Sequence, residues 1–122
     1  MSKRSAAAWP ERVTVCGVPF RVALADELRG DDDQRLWGWA DYRTRKLSLA
    51  TRLNDGEPVC ADALFLALLH EMLHAVLYQE PTLAHCVKGK SEERFVTGLA
   101  NTLGPALLDT GLVVLPESGS ER

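Results

Sequence analysis

Polar and apolar residues alternate through the first half of the chain, which is the pattern of half-buried strands. Residues 13–25 (VTVCGVPFRVALA) alternate on both sides of Gly17-Val18-Pro19 and predict a hairpin or two short strands. Residues 36–42 (LWGWADY) and 46–50 (KLSLA) predict two further strands, joined by a turn at 43–45. The strongly polar residues 26–35 predict a surface loop.

The second half of the chain changes to helical spacing. Residues 59–79 follow Pro58 and are apolar at most positions, and Pro81 ends the helix that they predict. A second helix is predicted from Ser91, a good N-cap followed by two glutamates, to about Leu108. Residues 82–90 predict a loop, and residues 111–116 (GLVVLP) predict a short last strand.

These elements predict one small α+β domain. We expect a mainly antiparallel sheet of three or four strands with two principal helices packed on it. A length of 122 residues suits one domain with one modest core. The expected organisation is a flexible N-terminal arm at 1–11, a single domain at 12–116 and a flexible polar tail at 117–122.

Charge and cysteine content exclude several classes of function. The net charge is −3, whereas a nucleic-acid-binding domain should carry a basic excess, so no nucleic-acid partner is expected. Three cysteines without paired spacing argue against a disulfide framework and favour a reducing cytoplasm. The N-terminus lacks a continuous apolar segment, and polar residues interrupt the most apolar stretch at 59–78, so neither a signal peptide nor a membrane span is expected.

The first predicted helix contains the pattern H-E-x-x-H at His70, Glu71 and His74. Helical residues four apart lie on one face, so the two imidazoles can bind one metal ion from the same side. The glutamate beside the first histidine can take a proton from a water molecule without occupying the metal. The helix is otherwise apolar almost all round, which predicts burial on both sides and a high cost for unpaired polar groups. A metal ion would remove that cost for both histidines.

A catalytic zinc site usually has three protein ligands, so a third ligand is needed. The candidates after the helix are His85, Cys86, Glu92 and Glu93. On a helical wheel Glu92 falls at the centre of the apolar face of the second helix, and Glu93 is turned away from it. Glu92 is therefore the predicted ligand and Glu93 the alternative, while His85 is more typical of a loop histidine.

The H-E-x-x-H helix followed by a helix that supplies a glutamate resembles the gluzincin metallopeptidases. The stretches "WADYRTRKLSLA" and "EERFVTGLANTL" look most like compact H-E-x-x-H proteins encoded by phages and prophages, with a more distant similarity to SprT-like and ImmA/IrrE-like proteins. The resemblance covers roughly residues 36 to 108. It does not extend to the ImmA-type Glu-Ala-Asn stretch, nor to a large substrate lobe, so it implies no particular substrate.

What the resemblance implies is a small zincin-like fold and a zinc-dependent peptidase with one zinc ion. Its ligands would be His70, His74 and Glu92, and Glu71 would be the general base. The resemblance also implies that the strand at 46–50 holds an extended peptide by main-chain pairing. The expected partner is a polypeptide substrate or another protein.

Several assignments stay open at the level of sequence. Tyr42, Tyr78 or His85 could stabilise the oxyanion, and Asp41 or Asp62 could orient a ligand histidine. Trp37 and Trp39 share one strand face, and packing in the core or as a platform is favoured over a binding pair. The alternative function is a catalytically inactive, metal-stabilised binding or assembly protein of phage or prophage type. A nucleic-acid-associated regulator is disfavoured by the charge balance.

Overall fold

The computed structural model describes residues 9–30, 32–87 and 91–116 of the chain. The elements within these residues confirm the predicted α+β class. The strands are β1 (Arg12–Val15), β2 (Val18–Ala25), β3 (Leu28–Arg29), β4 (Arg35–Leu36), β5 (Gly38–Asp41) and β6 (Lys46–Ala50). The helices are α1 (Ala61–Gln79), α2 (Pro81–Cys86) and α3 (Ser91–Asp109).

Four strands form the main sheet, in the order β1-β2-β6-β5. The β1–β2 and β6–β5 pairs are antiparallel, as predicted, but β2 and β6 run parallel. The sheet is therefore mixed, and the expectation of a mainly antiparallel sheet holds only for its two outer pairings. After β2 the chain crosses to the far edge, forms β5, and returns through a hairpin into the gap between β5 and β2. That route makes β6 parallel to β2.

The topology corrects one expectation that came from the resemblance. The strand at 46–50 is β6, and both of its edges are already paired within the sheet. It therefore has no free main-chain edge for an extended peptide. The two edge strands of the sheet are β1 and β5, and both contact α1.

The segment predicted as a surface loop at 26–35 contains more structure than its polarity suggests. β3 and β4 form a separate two-stranded ladder. The guanidinium of Arg35 lies 3.3 Å from the carboxylate of Glu27 and donates to the carbonyl oxygens of Arg52 and Leu53. Leu28 and Leu36 are opposite each other in the ladder and half-buried, but strands of two residues are too short to produce an alternating apolar pattern.

The core lies between one face of the sheet and α1. Leu47 and Leu49 on β6 are fully buried and pack with Phe20 from β2 and with Leu64 and Leu68 from α1. Ser48, between the two leucines, points to the opposite face, as strand geometry requires. Trp9 packs against this core, whereas residues 1–8 of the expected arm and the expected tail at 117–122 lie outside the described residues.

The helices follow the prediction in part. α1 begins at Ala61, two residues later than predicted, and ends before Pro81. Residues 81–86 form the short helix α2, so the expectation of a loop from residue 82 is wrong there. Residues 111–116 adopt a turn and irregular backbone, so the predicted last strand is also wrong. α3 runs through Pro105 to Asp109.

α1 and α3 pack closely through small side chains. Val96, Ala100 and Gly104, spaced four residues apart, are the buried residues of α3. A Cβ atom at Gly104 would collide with the side chain of Leu66 on α1. Because the small stripe faces α1, the larger apolar residues Phe95 and Leu103 are left exposed.

α1 is only partly enclosed. The predicted burial on both sides holds for the sheet-facing residues, but other apolar positions of the helix stay half-exposed. By length and composition alone, α1 is also long and apolar enough to cross a membrane, a property that core helices of soluble proteins share.

Candidate metal centre

The H-E-x-x-H residues lie on the side of α1 that faces α3 and β5. The ring centroids of His70 and His74 are 4.9 Å apart, with an edge-to-face angle of 61° between the rings. One helical turn separates the two residues, which accounts for this proximity. Local helix geometry thus supplies two converging imidazoles, as the sequence predicted.

The third member of the cluster is Glu93, at the start of α3. Its carboxylate oxygens lie 2.8 Å from Nε2 of His74 and 3.2 Å from Nε2 of His70. One ligand atom from each of His70, His74 and Glu93 lies within 4.8 Å of the others, which is close enough to hold one metal ion. The hydroxyl of Thr97, one turn further along α3, donates to the same carboxylate at 3.2 Å.

Glu92, the ligand predicted from the helical wheel, contacts the other nitrogen of His74. Its Oε2 lies 2.7 Å from Nδ1 of His74. The two neighbouring glutamates therefore bracket one imidazole, with Glu93 on the side of His70. Carboxylates commonly accept a hydrogen bond from the non-ligating nitrogen of a metal-binding histidine. The arrangement of Glu92 has that form.

The protonation of His74 reflects both carboxylates. Burial lowers its pKa, but the hydrogen bonds to Glu92 and Glu93 outweigh burial, so the net pKa is raised. Without a metal, His74 is thus favoured as an imidazolium that donates from both nitrogens.

Glu71 is largely buried beside this cluster. Burial raises the pKa of its carboxyl group to about 7; the positive charge of His74 opposes that rise and the negative charge of Glu93 adds to it. Strand β5 covers the carboxylate closely, since a Cβ atom built on Gly38 would lie 2.7 Å from Oε2 of Glu71. A carboxyl group with a pKa near neutrality can both accept and donate a proton.

Two tyrosines stack beside the cluster. The rings of Tyr42 and Tyr78 are nearly parallel, with centroids 4.1 Å apart. Tyr42 lines the same cleft as His70 and Glu71, whereas Tyr78 is 61% exposed and lies outside the lining. Burial, followed by the charges of Glu71 and Glu92, raises the pKa of Tyr42 to about 12, so its hydroxyl stays protonated at neutral pH.

Other residues considered from the sequence are not brought to the cluster. His85 and Cys86 are exposed on α2 and do not belong to the group of possible ligands. The carboxylate of Asp41 accepts hydrogen bonds from the backbone N–H groups of Arg43 and Thr44 in the β5–β6 turn. Asp62 is exposed in the first turn of α1. Asp41 and Asp62 were the predicted partners of the histidines. The carboxylate that the structure places at Nδ1 of His74 is instead that of Glu92.

The cluster opens into a cleft of about 750 Å³ between α1, α3 and β5. Trp37 and Trp39 line it and are 56% and 46% exposed, so packing in the core, one of the two predicted alternatives, is wrong, while packing as a platform stays a prediction. Gly38, which lies between them, was not identified as a functional position from sequence. A glycine flanked by two tryptophans inside a predicted strand was the available signal.

The side chains present fit a divalent cation. Three carboxylates, from Glu71, Glu92 and Glu93, surround two imidazoles, so the cluster carries an excess of negative charge when the histidines are neutral. Two histidine nitrogens and one carboxylate oxygen form a common donor set of catalytic zinc sites, which leave one position open.

Comparison of the chain with protein-family models, with curated proteins and with solved structures finds no match in any of the three.

Proposed function

We propose that this protein is a zinc-dependent peptidase that acts on a polypeptide bound in the cleft between α1, α3 and β5. The observation that carries the proposal is the convergence of ligand atoms from His70, His74 and Glu93 within 4.8 Å. This group lies beside a buried carboxyl group, Glu71, at an open cleft. A general base next to a three-ligand metal site is the combination that hydrolysis of a peptide bond requires.

His70, His74 and Glu93 would hold the ion. A bound zinc ion would supply Lewis acidity, which lowers the pKa of water and polarises a peptide carbonyl. Glu92 would keep the imidazole of His74 oriented through the 2.7 Å contact with Nδ1, and Thr97 would orient the carboxylate of Glu93. The ligand role thus passes to Glu93, and Glu92, predicted as the ligand, becomes the positioning residue.

Glu71 would carry the proton through the reaction. Its carboxylate takes a proton from water as the water oxygen adds to the carbonyl carbon of the substrate. It then gives that proton to the nitrogen of the leaving amine as the carbon–nitrogen bond breaks. A pKa of about 7 suits both transfers near neutral pH.

Tyr42 is the best placed of the three residues considered for the developing oxyanion. It lines the cleft, and its raised pKa keeps the hydroxyl available as a donor at neutral pH. Preorganised donors of this kind stabilise the negative charge that forms on the carbonyl oxygen. Tyr78 would hold the ring of Tyr42 by stacking.

The deciding experiment uses Glu71→Gln and a randomised peptide library, with cleavage read by mass spectrometry. We expect the zinc-loaded wild type to cleave peptides, and Glu71→Gln to keep stoichiometric zinc while losing at least about 1000-fold in activity. The matched control is Glu57→Gln, which neutralises an exposed glutamate in the 51–58 connection and should leave cleavage unchanged. Equal activity in Glu71→Gln and wild type would rule out Glu71 as the base.

A second candidate is a metal-stabilised binding protein without turnover. It is favoured by the location of the cluster, which joins α1 to the first turn of α3 and would tie the two helices together. Absence of cleavage by the wild type over the whole library, together with loss of structure on zinc removal, would select this candidate.

A further inference from the structure

The cleft extends well beyond the metal cluster. Ala67 and Ala63 lie one and two helical turns before His70 on α1 and line the same cleft. At 1.5 Å per residue, this apolar extension reaches about 10 Å from the histidine along the helix. The cluster therefore occupies one end of the cleft, and an apolar region occupies the other.

The floor of this region is made mainly of methyl groups. Ala63 and Ala67 from α1 and Ala100 from α3 contribute only a Cβ atom each, with Leu66 beside them. Short side chains at facing positions of two packed helices leave space that larger residues would fill. Ala100 and Gly104 are buried on α3, and a Cβ atom on Gly104 would collide with the side chain of Leu66, which lines this space.

Two tryptophans border the cleft on the side of edge strand β5. Trp37 and Trp39 are each about half exposed, and Trp39, which is opposite Ser48 in the sheet, also borders a smaller pocket on the other face of the sheet. Large apolar side chains exposed next to an apolar floor are typical of binding sites on soluble proteins. Among the described residues that line the cleft, charged side chains occur only at the metal cluster.

We propose that this region, the apolar subsite formed by Trp37, Trp39, Ala63, Leu66, Ala67 and Ala100, binds one large apolar side chain of a polypeptide. The assignment of that side chain to the residue next to the hydrolysed bond rests on the proposed peptidase function, because the subsite adjoins His70 and Glu71. Leucine and phenylalanine side chains have the size and polarity for it. An acidic side chain does not, because the subsite residues include no basic side chain and a carboxylate would lose its hydration there.

Binding is measured on zinc-loaded Glu71→Gln, so that no cleavage occurs during the titration. The probes are capped hexapeptides of otherwise identical sequence that carry leucine, phenylalanine, alanine or aspartate at one position. Isothermal titration calorimetry gives the dissociation constants. We expect the leucine and phenylalanine peptides to bind at least about tenfold more tightly than the alanine peptide, because they bury two or more additional carbon groups. The aspartate peptide should bind most weakly.

Two substitutions fill the subsite from different positions. Ala67→Leu and the more exposed Ala63→Leu, each combined with Glu71→Gln, should reduce the preference for leucine over alanine to less than about threefold. Both should retain stoichiometric zinc. Ala106→Leu places the same side chain on an exposed position of α3 outside the cleft and should keep the full preference. Equal binding of the leucine and alanine peptides, or a preference that survives in both filled variants, would overturn the proposal.

The two proposals fail in different ways. Selective binding of the leucine peptide by Glu71→Gln, without its cleavage by the wild type, would leave the apolar subsite in place and reject the peptidase. Cleavage of the leucine and alanine peptides with equal kcat/KM would support the peptidase and reject the subsite.

Discussion

At the residue scale, the site depends on which of two adjacent glutamates faces His70. Glu93 approaches Nε2 of both histidines, whereas Glu92 approaches Nδ1 of His74. Adjacent helical residues point in different directions, so they cannot exchange roles without rotation of α3. The rotation of α3 about its own axis therefore sets which of the two glutamates lies near both histidines.

Removal of either glutamate should distinguish their roles. We expect Glu93→Ala to weaken zinc binding by more than about 100-fold, because a ligand is lost, and Glu92→Ala to weaken it by about 10- to 100-fold, because only the orientation of His74 is lost. Zinc content by mass spectrometry and competition with a chelating dye would measure both. Stoichiometric, tightly bound zinc in Glu93→Ala would return the ligand role to Glu92.

Glu71 should make the stability of the metal-free protein depend on pH. Because burial raises its pKa from 4.5 to about 7, the folded chain holds this proton more strongly than the unfolded chain. Its stabilising contribution is fully present below about pH 4.5 and is lost as the pH rises through about 7. Metal-free Glu71→Gln, neutral throughout, should therefore gain stability relative to wild type between about pH 5 and pH 8, by up to about 3 kcal/mol.

Urea denaturation of both metal-free proteins across this range would measure the difference. The charge of Glu71 is one cause of the raised pKa of His74, so the same pair compared in a His74→Gln background would separate the two groups. A stability difference that stays constant with pH would mean that the Glu71 carboxyl group is well solvated.

At the element scale, the approach of α1 to α3 brings Glu93 to the histidines. The buried stripe of α3 is Val96, Ala100 and Gly104, which permits a closer approach than large side chains would. The helical wheel assigned Phe95, Val96, Leu99, Leu103 and Ala106 to the apolar face, and of these the structure buries Val96 and leaves Phe95 and Leu103 exposed. Hydrophobicity thus identified the buried face only in part, because close packing against α1 also selected the small residues Ala100 and Gly104.

Two glycines of α3 provide a matched test of this packing. Gly104→Ala should leave the protein about 1–2 kcal/mol less stable than Gly98→Ala, because the new Cβ must displace the end of the Leu66 side chain. Gly98→Ala, on the same helix with nothing within 4 Å of its Cβ position, should stabilise the protein by up to about 1 kcal/mol through helix propensity alone. Thermal and urea unfolding would measure both. Equal stabilisation by the two substitutions would show that α1 and α3 do not approach closely at Gly104.

At the scale of the whole molecule, the site is assembled from parts of the chain that are distant in sequence. α1 provides the imidazoles and Glu71, α3 provides Glu93, and β5 covers Glu71 through Gly38. A metal ion bound by side chains of α1 and α3 would therefore link the two helices in the folded state. It would change the free energy of the unfolded state little.

Zinc should accordingly stabilise the protein. At a free zinc concentration of about 100 times Kd, binding adds about 2.7 kcal/mol to the free energy of unfolding. We expect Tm to rise by on the order of 10 °C for a domain of this size, and excess chelator to reverse the rise. Glu93→Ala is the control, and its Tm should not respond to zinc. An equal response in wild type and Glu93→Ala would indicate binding elsewhere.

The sequence by itself determined the features that depend on local periodicity. Apolar residues that recur every two residues predict the strands of the two hairpins. A period of about four residues predicts the long helix and places His70 and His74 on one face of it. These features do not depend on how the elements pack. The α+β class and a sheet of three or four strands followed from the same local signals.

Only the tertiary structure decided the order of the strands and the composition of the site, because both depend on contacts between elements that are distant in sequence. The parallel pairing of β2 with β6 reflects the route of the chain, and β3 pairs with β4 apart from the main sheet. The choice of Glu93 over Glu92 depends on the rotation of α3, which its small residues set by allowing α1 to approach. The exposure of Trp37 and Trp39 depends on a cleft that no single element encloses. Such contacts are made in space between separate segments, and no periodicity within one segment encodes them.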